Sequence, residues 1–368
     1  MRDAPAAAMR REGTGDFEVF SAPGSQLRGG WQEWDLLDAA LAGRQGADGA
    51  AVGYFSYEGD FDFTFFANRQ SVPAREWLGE GQRVTVGDGA WSGWRAAVDL
   101  PNYTLMVAAA QEHIRRGNIY QVNLARAFTR QAKEFDAWRF FKILWSLTAA
   151  PLAAYYATAE RVLLSASPEL FLTISGRRIV TKPVKGTRPR GADAAGDARN
   201  AAELSASPKE RAELVMITDL ERNDLGRVCE FGSVRVSELL ARERLSHVFH
   251  LVSTVEGRLR AEVSPVQAVR ACFPGGSITG APKQRAMEII AELEPFRRGF
   301  FTGAMGWFDY HGNAQFNIAI RTAEWRADTL TVMAGSGITI GSAAREEFWE
   351  TEHKARALRE AWSIYERG

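Results

Sequence analysis

Between residues 153 and 182 the chain reads as four short apolar runs, AAYYAT, RVLLSAS, ELFLTIS and GRRIVTK, with at most two residues between one run and the next. Each is rich in the β-branched and aromatic residues that suit a pleated surface, and turns this short join neighbouring antiparallel strands. The last two runs close as a hairpin through Ser175 and Gly176. Helical stretches lie before and after this meander, not between its strands, which predicts an α+β fold and not a doubly wound parallel sheet. Directly after it comes KPVKGTRPRG at 182–191, a stiff basic turn that holds Lys185, with Glu169 sixteen positions upstream in SASPEL. A lysine fixed in such a turn, following a strand with a lone carboxylate, is compatible with a nucleophile, a general base or plain solvation.

The remainder argues for one dominant domain with an N-terminal elaboration. At 368 residues, 46% hydrophobic and 24% charged, the chain is apolar enough to bury a large core. Its 45 basic residues balance 45 acidic ones, so no overall field favours nucleic acid or an anionic membrane. The N-terminal MRDAPAAAMRREG lacks the apolar stretch of a signal peptide and nothing later approaches a membrane span, so a soluble, cytoplasmic protein is expected. Cys229 and Cys272 are too few and too isolated for a disulfide framework or a zinc site and read as core thiols. Residues 1–95 are irregular and rich in Gly and Ala, with a strand candidate at AVGYFSYEG and weak alternation in DFDFTFFANRQ. They are expected to form an N-terminal portion of the same fold, with 96–368 as its main domain. From Asn102 a helix runs to a cap at Gly117, and IYQVNLARAF follows as a strand with Tyr120, Val122 and Leu124 on one face and Gln121 and Asn123 on the other.

Two pairs of glutamates stand out. SPKERAELVMITDLERNDLG opens with Ser207 as N-cap, Pro208 at the first position and Glu210 at the third, a capping box that gives Glu210 a purely structural reading. Glu213 lies three residues further on the same face, and Glu347 and Glu350 repeat the spacing near the C-terminus. Each pair alone is compatible with a solvated acidic face; converging, the two pairs could offer hard oxygen ligands to one Mg²⁺. Glycine turns accompany them. FPGGSITGAPK places Gly275, Gly276 and Gly280 ahead of a helix, and VMAGSGITIG places Gly335, Ser336 and Gly337 after a strand. Either could cradle an anion with free backbone amides, yet neither has the spacing of a P-loop or of GxGxxG. Carboxylates are the expected anions, with Arg321 in FNIAIRTAEW, read as lying on a strand, able to offer a bidentate fork.

The ordered set IYQVNL, SASPELF, KPVKGTRPRG, ELVMITDLERNDLGR, HVFHLVSTVEG, FPGGSITGAPK, FNIAIRT, AGSGITIGS and ETEHKARA resembles the chorismate-utilising enzymes over roughly residues 100–360. That family includes anthranilate synthase component I, aminodeoxychorismate synthase component I, isochorismate synthase and salicylate synthase. The resemblance implies a single α+β domain with two large antiparallel sheets packed as a sandwich and helices outside. Lys185 stands where anthranilate synthases carry Ala and aminodeoxychorismate synthases typically carry Lys. The expectation is therefore amination of chorismate to 4-amino-4-deoxychorismate, the precursor of p-aminobenzoate and folate. Anthranilate, isochorismate or salicylate synthesis, or a catalytically silent chorismate-binding subunit, are the alternatives.

By the same resemblance Glu169 is the acid at the departing hydroxyl and Lys185 the nucleophile. Glu213 and Glu350 would hold Mg²⁺ on the ring carboxylate, with Glu210 and Glu347 further out. His250 matches a family histidine near the ring, although a histidine on an apolar strand is also an ordinary core residue. Thr279, Arg321, the Gly335–Ser336–Gly337 amides and Lys354 would hold the substrate carboxylates. Phe301 replaces a usual Tyr, which removes one hydrogen bond to the substrate side chain. No counterpart of the LLES-like tryptophan-binding segment is found, so feedback by tryptophan is not expected. No GxCxG elbow is present either, so ammonia would come from a separate glutamine amidotransferase subunit or from solution.

Overall fold

In a computed structural model, which describes residues 4–79, 93–245 and 248–367, the four runs are strands but not one meander. Along the chain the strands are β1 (Ala7–Arg10), β2 (Asp16–Gly29), β3 (Ala50–Phe55), β4 (Phe61–Pro73), β5 (Arg95–Ala96), β6 (Gln121–Gln131), β7 (Leu152–Ala157), β8 (Arg161–Ser167) and β9 (Leu170–Ser175). They continue as β10 (Arg178–Lys182), β11 (Val184–Pro189), β12 (Arg235–Arg244), β13 (Val248–Arg258), β14 (Gly280–Ala281), β15 (Ala304–Asp309), β16 (Ala314–Ile318), β17 (Thr322–Arg326) and β18 (Thr329–Ile338). β7 pairs with β8, and β9 with β10, but β8 turns to β17 and β9 to β16. The break falls at Pro168–Glu169, where proline has no N–H to give a ladder. The partner chain breaks at the same place, at residues 319–321 between β16 and β17. Ser167 Oγ donates to the Ile318 carbonyl at 2.6 Å, and the Ile318 amide donates to the Glu169 carbonyl at 3.0 Å, stitching the two breaks together.

All eighteen strands of the described residues belong to one antiparallel sheet, which corrects the expectation of two separate ones. Followed through its pairings, the ladder runs β12–β13–β10–β9–β16–β15–β3–β4–β2–β1–β7–β8–β17–β18–β6. β2 and β4 are the reason the halves stay joined. They pair from Asp16↔Pro73 to Gly29↔Phe61 with a register shift between Pro23 and Gln26, and β1 lies along one end of this ribbon while β3 lies along the other. The ladder folds over on itself. One core cluster takes Tyr54, Met305 and Trp307 from β3 and β15 together with Ala127, Tyr156 and Met333 from β6, β7 and β18.

The helices are α1 (Trp34–Ala42), α2 (Ala74–Leu78), α3 (Leu100–Arg115), α4 (Ala137–Thr148), α5 (Ala194–Ala206), α6 (Pro208–Gly226), α7 (Pro265–Cys272), α8 (Lys283–Leu293) and α9 (Ala344–Arg367). α3 starts where Asp99 accepts from the Asn102 amide, and it buries Tyr103, Met106, Val107 and Ala110, one stripe at helical spacing. α6 is capped by Ser207, but the capping box is half formed: Glu210 sends its carboxylate to Arg188 and not back to the cap. The N-terminal region is more regular than its composition suggests, supplying β1 to β4; residues 80–92 of the expected 1–95 portion lie outside the described residues. Tyr120 precedes β6 and is exposed, whereas Val122 and Leu124 are fully buried as expected. Cys229 and Cys272 are both free and buried. Among the described residues no helix is long and apolar enough to cross a membrane.

Candidate active site

Folding the ladder over brings β6 and β18, at one end, against β11 and β13, near the other. Between them lies a cavity of about 510 Å³, closed by α6 and α9, by the 277–278 turn and by the paired breaks that hold Glu169 and Arg321. Of the residues picked out from the sequence, Lys185, Glu169, His250, Arg321, Gly335, Gly337, Lys354 and all four glutamates line it. Thr279 and Ser336 do not.

Lys185 sits on β11 opposite Leu251, just before a register shift, and its Nζ donates to the Ser277 carbonyl at 3.0 Å. Part of its surface opens on the cavity, but protein surrounds the ammonium closely, and burial lowers its pKa against the opposing pull of Glu169, Glu213 and Glu350. Glu169 is 4% exposed. Burial raises its pKa, offset by Lys185 and by a long contact from the Val184 amide to Oε1 at 3.4 Å. The Ser277 hydroxyl has no formed hydrogen bond, yet it lies near enough to Glu169 to favour the carboxylate. A base biased towards its neutral form thus stands beside an acid biased towards its protonated form.

Arg321 is in the break itself, not on a strand as expected, with φ +49°. Its guanidinium, densely surrounded, has no hydrogen-bond or ion-pair partner among the described residues and faces the cavity, while its carbonyl accepts from the Ala166 amide at 3.0 Å. Burial lowers its pKa, so an anionic ligand is the partner that would complete it. His250 on β13 is 1% exposed, and neither ring nitrogen has a partner among the described residues. Burial, and then Arg321, push its pKa down to about 4, so the ring is neutral near pH 7.

The glycines at 335 and 337 belong to β18 and not to a loop after it. Their missing side chains make room: a Cβ at Gly335 would stand 2.2 Å from Asn123 Oδ1, and one at Gly337 2.3 Å from Gln121 Nε2. Gln121 Oε1 and Asn123 Oδ1 are buried without partners among the described residues, and both side chains line the cavity. Sequence reasoning gave neither residue a role, although the alternation with Val122 and Leu124 already set both on the opposite face. Ser336 points the other way and hydrogen-bonds Glu347. Thr279 is fully buried, and its hydroxyl donates to the Gly275 and Gly276 carbonyls, closing the turn that presents Ser277. Phe301 lines the cavity with no hydroxyl to offer.

The four glutamates enter from α6 and α9 in unequal states. Glu213 has no hydrogen-bond or ion-pair partner among the described residues, and burial raises its pKa. Glu350 pairs with Lys354 Nζ at 2.7 Å; burial opposes its ionisation, but Lys354, Lys209 and Lys185 hold its pKa below the ordinary value. Lys354 also donates to the Gly335 carbonyl at 3.0 Å. Glu210 accepts from Arg188 at 2.8 Å and leaves Oε2 buried and unpaired, while Glu347 is engaged by Ser336 and Ser342. Among the described residues no three acidic, histidine or cysteine side chains form a ready-made metal cage. An Mg²⁺ ion does not require one: it is commonly held by one or two carboxylates and completed by water and substrate. The Glu213 carboxylate, without a partner among the described residues and close enough to Glu350 for the two charges to interact, fits such an ion, and the orphaned Glu210 oxygen on the same helix offers a further acceptor.

Residues 74–360 match the chorismate binding enzyme family. The chain is 42% identical over 266 residues to aminodeoxychorismate synthase component 1 of Bacillus subtilis, covering 72% of this chain and 56% of that one. It is 44% identical over 278 residues to anthranilate synthase component 1 of Streptomyces coelicolor, covering 75% and 54%. It thus spans a little over half the length of these curated relatives. In three dimensions it superposes on the menaquinone-specific isochorismate synthase of Escherichia coli with a TM-score of 0.79 at 20% identity, over 97% of this chain and 88% of the other, a likeness of fold. Matched over most of its length, with the motif residues gathered around one cavity, the chain belongs to the chorismate binding enzyme family.

Proposed function

We propose that the chain is an aminodeoxychorismate synthase component I, converting chorismate and ammonia to 4-amino-4-deoxychorismate and water. The observation that carries this reading is Lys185: a cavity amine whose burial favours the neutral form, beside Glu169, at the position where anthranilate synthases carry Ala. Chorismate's C4 hydroxyl is a poor leaving group. Lys185 Nζ adds at C2, both ring double bonds shift by one position, and the C4–O bond breaks as Glu169 gives its proton to the departing oxygen, releasing water. Ammonia then attacks C4, both double bonds shift back, and the C2–N bond returns its electrons to Lys185. The Glu169 carboxylate takes the proton that the new C4 ammonium gives up, restoring both groups.

Arg321 clamps one substrate carboxylate and Lys354 the other, and the neutral His250 ring, close enough to Arg321 to feel its charge, lines the same cavity. Mg²⁺ held by Glu213 and Glu350, with Glu210 and Glu347 behind them, would neutralise the ring carboxylate and draw electron density from the ring. Ammonia is supplied by a separate amidotransferase subunit or from solution.

Purified protein given chorismate, Mg²⁺ and ammonium salt is expected to yield a product of aminodeoxychorismate mass, which an added aminodeoxychorismate lyase turns into p-aminobenzoate. Fluorescent anthranilate, isochorismate or no turnover would each overturn the proposal. Lys185→Ala is expected to lose more than about 10³-fold in kcat and all covalent adduct trapped by acid quench. An adduct of undiminished yield in that variant removes Lys185 from its role.

A further inference from the structure

None of these steps uses Glu221, a carboxyl on α6 that is 6% exposed. It accepts from Thr181 Oγ1 at 2.8 Å and has no cation within ion-pair distance among the described residues. The nearby Lys283 gives its ammonium to Asp224 Oδ2 at 2.6 Å and to the Cys272 carbonyl at 2.8 Å. The sheet register sets Glu221 behind the candidate acid. β9 and β10 pair with Leu170 opposite Lys182, so Glu169 and Thr181 each lie one residue from that pair. The Glu221 stem also packs under the glycine turn: its Cγ is 3.7 Å from where a Cβ on Gly276 would stand, and the next residue, Ser277, is the one beside Glu169. A small cavity lined by Glu221, Thr181, Phe171 and Gly276 fills the gap between helix and sheet.

A carboxyl so enclosed, with a hydroxyl donor and no cation, keeps its proton. Burial, then the charge of Glu169, raise the Glu221 pKa to about 8; Thr181 opposes, Asp224 adds to the rise and Lys283 opposes it. The Cys272 thiol is pushed up by burial and stays neutral. Were Glu221 ionised, proton donation by Glu169 would leave two like charges buried side by side.

We propose that Glu221 is a positioning residue for the acid: it remains neutral through turnover, so that Glu169 alone changes charge at the back of the site. The proposal rests on Glu169 being the acid. It is tested by kcat against pH at saturating chorismate and Mg²⁺ and constant free ammonia, read as chorismate consumption so that the product's identity does not enter. The wild-type protein is expected to lose activity along an alkaline limb at or below about pH 8 as Glu221 ionises, because the Glu169 charge that helps raise the Glu221 pKa to about 8 is absent while the acid keeps its proton. Glu221→Gln, fixed neutral, should keep kcat at pH 7 within about twofold and move that limb up by about one pH unit or more. Thr181→Val removes a hydrogen bond that favours the ionised carboxyl and should move the limb the same way by less, which keeps the test open if Glu221→Gln does not fold. A limb that stays put in the variants that fold, including one that stays put while kcat falls uniformly, overturns the proposal. Glu169→Gln separates the two claims: full activity in that variant removes the acid, whereas its loss at every pH, combined with an unmoved limb in the Glu221 variant, removes only Glu221.

Discussion

His250 shows how burial turns an ordinary titratable group into a liability that pH exposes. Its folded pKa is about 4 against an ordinary 6.5, because burial and then the Arg321 charge oppose the imidazolium. Between those values the unfolded chain binds the proton and the folded chain does not, so folding stability falls as the solution is acidified through that window. The full effect, reached below about pH 4, is roughly 3 kcal/mol, an order-of-magnitude figure from about 1.4 kcal/mol per unit. His250→Gln cannot take up this proton. Urea denaturation at pH 7 and at pH 5 is expected to show a smaller loss of stability on acidification in the variant than in the wild-type chain, and equal losses would place the acid sensitivity elsewhere. Glu169, with the opposite sign, contributes in the opposite direction: its raised pKa costs stability as pH rises. The variant comparison isolates the histidine from that trend.

At the scale of elements, β18 carries the site through what it lacks. Gly and Ser are depleted in strands, so AGSG reads naturally as a loop, and only the register with β6, Gly335 opposite Ala125 and Gly337 opposite Asn123, shows it to be a ladder strand. The glycines are there because the Gln121 and Asn123 amides occupy the space their side chains would fill. Gly335→Ala forces the Asn123 carbonyl oxygen from a contact of 2.2 Å. Asn123 faces the cavity, so the displaced amide intrudes on the substrate and not on the core. Steady-state kinetics should show KM for chorismate raised about tenfold or more, with Tm changed by only a few degrees; a Tm collapse with unaltered KM would mean that the strand and not the cavity yields. Strand existence was readable in the same way. Val122 and Leu124 announced their face by alternation, and the runs at 153–182 announced four strands. What short spacing could not reveal was that Pro168 breaks the meander, because pairing with β16 and β17 is decided by residues 150 positions away. The break in turn explains why Glu169 and Arg321, far apart in sequence, meet.

Over the whole molecule, the motif order along the chain carried the family and many of the residues that line the cavity, since each motif keeps its chemistry in a few consecutive positions. The joining of the sheet was not readable, because it depends on β2 and β4, whose composition is unremarkable and whose pairing is long-range. That pairing gives the N-terminal region a structural role larger than a boundary near residue 95 suggests. β1 and β3 are the partners of β7 and β15, so without residues 1–95 the ladder is cut in two and both of those strands become bare edges. Phe17, Phe20, Phe55, Phe63 and Phe66, each at most 1% exposed, would leave the core with them. At about 1.5–3 kcal/mol for each buried phenylalanine, their combined contribution is of the order of the entire net stability of a protein, about 5–15 kcal/mol. A chain beginning at residue 96 is therefore expected to show no cooperative thermal transition by circular dichroism, to bind a hydrophobic dye, and to aggregate through its open edges. A cooperative transition within a few degrees of the full-length protein, with retained turnover of chorismate, would instead mean that the cavity's half of the sheet closes without the ribbon. The ladder forbids that outcome, because β15 would have lost β3, β7 would have lost β1, and the fold-over that brings Lys185 and Gln121 to one cavity is made through the strands removed.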